Sequence, residues 1–77
     1  MQIRILVFGQ LTDIVESSTL TLADVKDTDM LVAELNRRYP ALAAVKYMVA
    51  VNKKTIAGNT ILNEGSTVAL LPPFSGG

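Results

Sequence analysis

The sequence predicts an α+β fold in which one helix packs across one face of a mixed sheet. Two observations support this fold class. Stretches in which apolar and polar residues alternate, as they do in half-buried strands, occur in both halves of the chain. Between them, residues 28–39 carry apolar side chains at helical spacing. The predicted order is therefore strand, strand, helix, strand, short strand, strand.

The first predicted strand covers residues 2–9 and is closed by Gly9. Its alternation places Leu6 and Phe8 on one side of the sheet. The other side carries Ile3, Ile5 and Val7.

The next two segments are residues 10–17, whose structure is ambiguous, and residues 18–23, which are predicted to form a strand. Residues 10–17 are ambiguous, because their apolar residues have a spacing that allows one helical turn. Residues 18–23 alternate again and form the second predicted strand. Because the connection between the two strands is short, an antiparallel pair is expected.

The helix is predicted to begin near Thr28, with Thr28 as its N-cap. Asp27 and Asp29 place negative charge at the positive end of the helix dipole, and Pro40 ends the helix. The pair Arg37–Arg38 lies in the last turn, where it is either a solvated helix end or a phosphate clamp, the former being favoured. The apolar stripe consists of Leu31, Val32, Leu35 and Tyr39.

The remaining elements are short. They are a possible turn at 41–44, a strand at 47–51, a turn at 52–54, an edge strand at 55–57, a turn at 63–65 and a last strand at 67–71. Lys53 and Lys54 are interpreted as solvated loop charges, with contact to an acidic partner as the alternative.

This order of elements fits the ubiquitin-like β-grasp, in which the first and last strands lie side by side and parallel at the centre of the sheet. Phe8 and Leu71 then end at the same edge, on the face opposite the helix, and Leu6 and Met48 join them. We expect this apolar patch to be an interface. The alternative is that residues 10–17 or 55–62 fold over it.

The chain is predicted to divide into a domain, residues 1–71, and an extended tail, residues 72–77. Two prolines stiffen the base of the tail and prevent the sheet from continuing. Gly76 and Gly77 make its tip slim. Such a tail suits insertion of the terminal carboxylate into a narrow channel of another protein, although a frayed terminus without function is the simpler alternative.

Composition excludes several classes of function. Seven basic and seven acidic residues cancel, so binding to nucleic acid or to an anionic membrane is not expected. The chain has no cysteine and no histidine, which removes the usual nucleophile–base pairs and transition-metal ligands. We therefore expect no metal site and no self-contained enzyme. The N-terminus lacks the features of a signal peptide, and a cytoplasmic protein is expected.

Residues 68–77, which end in Pro-Pro-Phe-Ser-Gly-Gly, resemble the C-terminus of the small, sulfur-carrying subunit of molybdopterin synthase. The first strand, Ile3–Gly9, the helix end Arg38–Pro40 and the strand Val49–Asn52 resemble the same family. The resemblance covers the whole chain, although residues 10–17 and 53–62 match only loosely.

The resemblance implies a defined chemistry. A partner adenylyltransferase would convert the Gly77 carboxylate to an acyl-adenylate with ATP and Mg²⁺, and a sulfur donor would replace AMP to leave a thiocarboxylate. The carrier would then dock on the large synthase subunit, in an expected heterotetramer, and convert precursor Z (cyclic pyranopterin monophosphate) to molybdopterin. The chain itself would bind no cofactor and would be the non-catalytic sulfur donor.

The resemblance also assigns roles to residues. It implies that Gly77 bears the sulfur, that the tail enters the channel, and that Phe8 and Leu71 contact the large subunit. The inserted residues would be Pro72, Pro73, Phe74, Ser75 and Gly76. Three alternatives remain at this point, namely a sulfur carrier of thiamine biosynthesis, a ubiquitin-like modifier of lysines, and a β-grasp interaction module with an inert tail.

Overall fold

The computed structural model describes residues 2–72 of the 77-residue chain. The elements are β1 (Gln2–Val7), α1 (Leu11–Val15), β2 (Thr19–Ala23), α2 (Thr28–Arg38), a 3₁₀ helix (Pro40–Ala44), β3 (Met48–Val51), β4 (Lys54–Thr55) and β5 (Thr67–Leu71). Within these residues, no helix is long and apolar enough to cross a membrane.

The five strands form one mixed sheet in the order β2-β1-β5-β3-β4. The first and last strands are parallel neighbours, with Ile5 opposite Val68. The β1–β2, β3–β5 and β3–β4 pairs are antiparallel. This topology confirms the predicted ubiquitin-like β-grasp, including the parallel first and last strands.

The core lies between the sheet and α2. Leu31 and Leu35 of the helix are fully buried against the strand residues Ile3, Ile5 and Val68, each with 0% exposure. Because these residues recur at helical spacing in α2 and at every second position in the strands, the sequence pattern places them on facing surfaces. The side of the sheet that faces away from α2 is called the outer face below.

The ambiguous segment 10–17 contains one short helix, α1. Its apolar residues Leu11 and Val15 are buried in the same core cluster, on the α2 side of the sheet. The helix ends at Val15 and is followed by the C-cap Glu16, whose φ of 64° is left-handed. This segment therefore closes one end of the core and leaves the outer face open.

The predicted N-cap of α2 is wrong by one residue. Asp27 is extended and its carboxylate accepts a hydrogen bond from the Met30 N–H at 2.9 Å, so Asp27 is the N-cap. Thr28 is the first helical residue and is buried. Its hydroxyl is used elsewhere, since it accepts a hydrogen bond from the Thr60 N–H at 2.9 Å.

Four predicted strands are shorter in the structure. The first ends at Val7, the second begins at Thr19 and the third begins at Met48. The edge strand is Lys54–Thr55 in place of residues 55–57. The edge strand begins early because Asn52 and Lys53 both adopt positive φ, 49° and 74°. Two such residues form a tight hairpin turn whose twist matches the strands, so pairing starts at the next residue.

Candidate functional site

The parallel pairing of β1 and β5 brings their C-terminal ends to one edge of the sheet. Leu6 lies opposite Ala69, and beyond the end of β1 the Phe8 N–H donates to the Leu70 carbonyl oxygen at 3.1 Å. On the other side of β5, Met48 lies opposite Leu71. The four apolar residues predicted to form a patch are therefore neighbours on the outer face.

This patch is open to solvent. Phe8 is 44% exposed and Met48 is 38% exposed, while Leu6 and Leu71 are partly buried. Three of the four patch residues line a groove with a volume of about 550 Å³, and Met48 is not among the residues that line it. The groove is lined by Leu6, Phe8, Ala50, Asn52, Lys53, Thr55, Thr67, Ala69 and Leu71. Neither residues 10–17 nor residues 55–62, which were the alternative covers of the patch, bury it.

The root of the tail, Pro72, rests on the turn between β1 and α1. Gly9 in this turn has a φ of 60°, and a Cβ added there would lie 2.6 Å from Pro72 Cγ. Only a glycine lets the proline approach so closely without a shift. Pro72 also borders a second depression of about 480 Å³, together with Ile14, Val45 and Lys46.

The remaining tail positions lie outside the described residues. They are Pro73, Phe74, Ser75, Gly76 and Gly77. The structure therefore places the root of the predicted tail beside the outer-face patch, and the roles assigned to the tail remain predictions.

The arginine pair at the end of α2 binds an acidic side chain of the same helix. Arg37 Nε donates to Glu34 Oε1 at 3.1 Å, and Arg38 Nε donates to Glu34 Oε2 at 2.8 Å. These hydrogen bonds, first from Arg37 and then from Arg38, lower the pKa of Glu34 to about 2. The geometry favours a charged helix end over a phosphate clamp.

Burial raises the pKa of the half-buried Tyr47, whose hydroxyl donates to Asn36 Oδ1 at 3.5 Å. Among residues 2–72, no group of three or more acidic side chains is placed to hold a metal ion. The arginine pair and the Tyr47 hydroxyl are thus engaged in contacts within the domain.

Two features of the site were not predicted. The sequence predicts only that Gly9 ends a strand, whereas in the structure Gly9 lies against Pro72 at the root of the tail. The sequence predicts a solvated loop charge at Lys53, with contact to an acidic partner as the alternative, but it does not place this residue beside the groove. A signal for the second was available, because a two-residue Asn-Lys connection between strands predicts a tight turn with defined side-chain directions.

A mixed five-stranded sheet and one main helix, with an open apolar face beside Pro72, define a small ubiquitin-like β-grasp protein among the described residues. The model of the ThiS family matches residues 5–77. The chain therefore belongs to the ThiS family, and its predicted relationship to the β-grasp sulfur carriers is confirmed.

Relatives were found among curated proteins and solved structures. The chain is 32% identical, over 83 aligned positions and the full length of both chains, to the molybdopterin synthase sulfur carrier subunit of Chlamydomonas reinhardtii. It is similar, with 26% identity, a TM-score of 0.75 and full coverage of both chains, to a chain in the complex of subunits 1 and 2 of molybdopterin-converting factor from Helicobacter pylori.

A third relative shares the fold. The small archaeal modifier protein 1 of Methanosarcina acetivorans has 24% identity and a TM-score of 0.79, with 99% of this chain and 96% of the other covered. At this identity the similarity establishes the β-grasp fold alone.

Proposed function

We propose that this protein is a sulfur carrier in molybdenum cofactor biosynthesis and that Gly77 carries the sulfur as a C-terminal thiocarboxylate. The observation that carries the proposal is the full-length similarity to a protein named as the sulfur carrier subunit of molybdopterin synthase. The Gly-Gly terminus of the sequence and the apolar face beside Pro72 support it.

Loading requires activation, because a carboxylate is a poor electrophile. An oxygen of the Gly77 carboxylate attacks the α-phosphorus of ATP, and pyrophosphate leaves. A sulfur nucleophile then attacks the acyl carbon, and AMP departs with its oxygen. Both steps occur in a partner adenylyltransferase that holds ATP and Mg²⁺, so the carrier needs no cofactor of its own.

Transfer takes place on the large subunit of molybdopterin synthase. Its surface covers the outer face around Phe8, Leu71, Leu6 and Met48, and the tail enters its active site. The thiocarboxylate sulfur then attacks cyclic pyranopterin monophosphate (precursor Z). Water cleaves the bond between the sulfur and the Gly77 acyl carbon, so that the sulfur stays on the pterin and Gly77 becomes a carboxylate again. Two carriers in turn supply the two dithiolene sulfurs, which is consistent with a heterotetramer. The solved complex of subunits 1 and 2 of a related converting factor supports such a partner.

The chain is a donor subunit and its partners supply the catalytic groups. It contains no histidine and no cysteine that could act as a base or a nucleophile. Sulfur carried on a main-chain acyl group requires neither. We place these reactions in the cytoplasm.

Intact mass spectrometry tests the proposal directly. The protein is incubated with ATP, Mg²⁺, the adenylyltransferase and a sulfide source, and a mass gain equal to the exchange of one oxygen for one sulfur is expected at Gly77. A variant with one residue added after Gly77 is the control and should stay unmodified at that glycine. No gain in the wild-type protein, with the enzymes active on a known carrier, would overturn the proposal.

A second assay separates the carrier from a modifier. The thiocarboxylated protein, mixed with the large subunit and cyclic pyranopterin monophosphate, should yield molybdopterin and return to the carboxylate. Conjugates between Gly77 and lysines of other proteins, without molybdopterin, would indicate a ubiquitin-like modifier instead.

A further inference from the structure

The groove on the outer face has a polar end that the apolar patch does not explain. Lys53 lines the groove near Thr67, at the end of β5 away from Leu71 and the tail root. Among residues 2–72, Lys53 is the only charged side chain that lines the groove, and no acidic side chain lines it. Lys53 makes no ion pair within residues 2–72. The groove therefore presents apolar side chains at one end and, at the other, an ammonium group that forms an ion pair with no described residue.

The turn that carries Lys53 is held against the sheet. Lys53 has a φ of 74° and follows Asn52, which has a φ of 49°. The Asn52 N–H donates to the Thr67 carbonyl oxygen at 2.8 Å, and the Thr67 N–H donates to Asn52 Oδ1 at 3.0 Å. These two bonds fasten the turn to β5 and place the Lys53 backbone at the end of the groove.

The neighbouring lysine lies on the other side of the sheet. Lys54 is directly opposite Val51, and residues opposite each other in a strand pair share a face. Val51 is part of the core on the α2 side. Two adjacent lysines of equal charge thus belong to opposite faces, and only Lys53 borders the groove.

We propose that Lys53 forms an ion pair with a carboxylate of the protein that covers the outer face. This inference rests on the docking surface of the proposed function and adds the chemistry of its partner, which is an apolar surface with an aspartate or glutamate opposite Lys53. An apolar partner alone would remove the ammonium group from water without compensation, which is unfavourable. A carboxylate provides the missing counter-charge and also sets the direction in which the partner lies along the groove.

The test measures binding of the full-length carrier to the large synthase subunit by calorimetry, at low and at physiological salt. Lys53→Gln is expected to weaken binding about threefold, as for a partly exposed ion pair. Lys53→Glu should weaken it about tenfold or more, because like charges would then face each other. Lys54→Glu, with the same change of net charge, should change the affinity less than about twofold. The affinity of Lys53→Gln should also depend less on salt than that of the wild-type protein.

The outcomes separate this inference from the docking model. Equal binding by wild type and Lys53→Glu would overturn the ion pair and leave docking intact. Equal weakening by Lys53→Glu and Lys54→Glu would indicate a general charge effect and would also overturn it. Absence of wild-type binding would overturn both docking and the ion pair. Self-association of the carrier through this face, detected by sedimentation and abolished by Lys53→Glu, would assign the groove to a second copy and overturn the proposed partner. Unchanged thermal unfolding of each variant establishes that the fold is retained.

Discussion

At the scale of single residues, Phe8 is the side chain on which docking most depends. It is 44% exposed although large and apolar, and it lies beside the tail root. If it fills a pocket of the large subunit, Phe8→Ala should weaken the complex by ~1–3 kcal/mol, measured by calorimetry.

The control for this prediction is Ile61→Ala. Ile61 is 74% exposed and lies beside Asp27, close to the start of α2 and away from the outer face. Its truncation should leave the affinity unchanged. Equal effects of the two substitutions would contradict the assignment of the outer face as the docking surface.

Substitution of Gly9 tests whether the close approach of Pro72 to this glycine contributes to stability. Alanine at this position must adopt a φ of 60° with its Cβ only 2.6 Å from Pro72 Cγ. We expect Gly9→Ala to lower the free energy of unfolding by about 1–2 kcal/mol from the left-handed backbone alone. Urea unfolding measures this difference.

Gly58 provides the comparison, because a Cβ added there meets nothing within 4 Å and its φ is not in the left-handed region. Gly58→Ala should be neutral or stabilising by a few tenths of a kcal/mol, up to about 1. If both alanine variants unfold at the same urea concentration, Gly9 does not hold the role assigned to it.

The hydrogen bonds of Glu34 predict how the stability of the protein changes at acidic pH. Its folded pKa of about 2 lies below the usual 4.5, so the hydrogen bonds from Arg37 and Arg38 favour the charged form. The stabilisation is therefore complete above about pH 4.5 and is lost as the pH falls towards 2. Because the group is exposed, we expect a small effect.

A carboxyl-carbon NMR titration measures this pKa directly. Glu34→Gln should remove the corresponding part of the fall in melting temperature between pH 4.5 and 2. An ordinary midpoint near 4.5 for Glu34 would show that the ion cluster does not persist in solution.

At the scale of elements, the N-terminus of α2 is joined to the loop before β5. The Thr28 N–H donates to the Thr60 carbonyl oxygen at 2.9 Å, and the Thr60 N–H donates to Thr28 Oγ1 at 2.9 Å. Asn59 Oδ1 accepts from the Asp29 N–H at 2.9 Å and from Thr28 Oγ1 at 3.3 Å. The loop thereby satisfies helix donors that would otherwise lack partners.

Thr28→Val keeps the shape of this buried side chain but removes its hydroxyl. It leaves the Thr60 N–H without its acceptor, and we expect destabilisation of about 1–3 kcal/mol, measured by denaturant unfolding. Thr21→Val, at an exposed position of β2, is the control, with an expected change within about 0.5 kcal/mol. Similar losses for both variants would contradict the importance of this junction.

At the scale of the whole molecule, the buried core and the proposed sulfur chemistry lie in different parts of the chain. The buried apolar core runs from Ile3 to Leu70, whereas the proposed chemistry takes place at Gly77. A variant without Gly76 and Gly77 should therefore keep the wild-type melting temperature but support no molybdopterin synthesis with the large subunit. A large loss of stability would mean that the chain end belongs to the folded domain.

The sequence alone determined the order of the elements and most of the outer-face patch. Period-two and helical patterns are local, and they identified the strands, the apolar stripe of α2 and its end before Pro40. The parallel placement of the first and last strands followed from the fold class, and it brought Phe8 and Leu71 together.

Only the tertiary structure decided the features that depend on distant contacts. Thr28 is not the N-cap, because its hydroxyl forms hydrogen bonds with Asn59 and Thr60, which are far from it in the sequence. Gly9 leaves the space that Pro72 occupies. Lys53 and Lys54 belong to opposite faces of the sheet because of the positive φ angles in the turn that carries Lys53. A sequence pattern records which face a residue occupies within its own element, but it carries no information about which remote group will compete for a hydrogen bond or fill the space beside it.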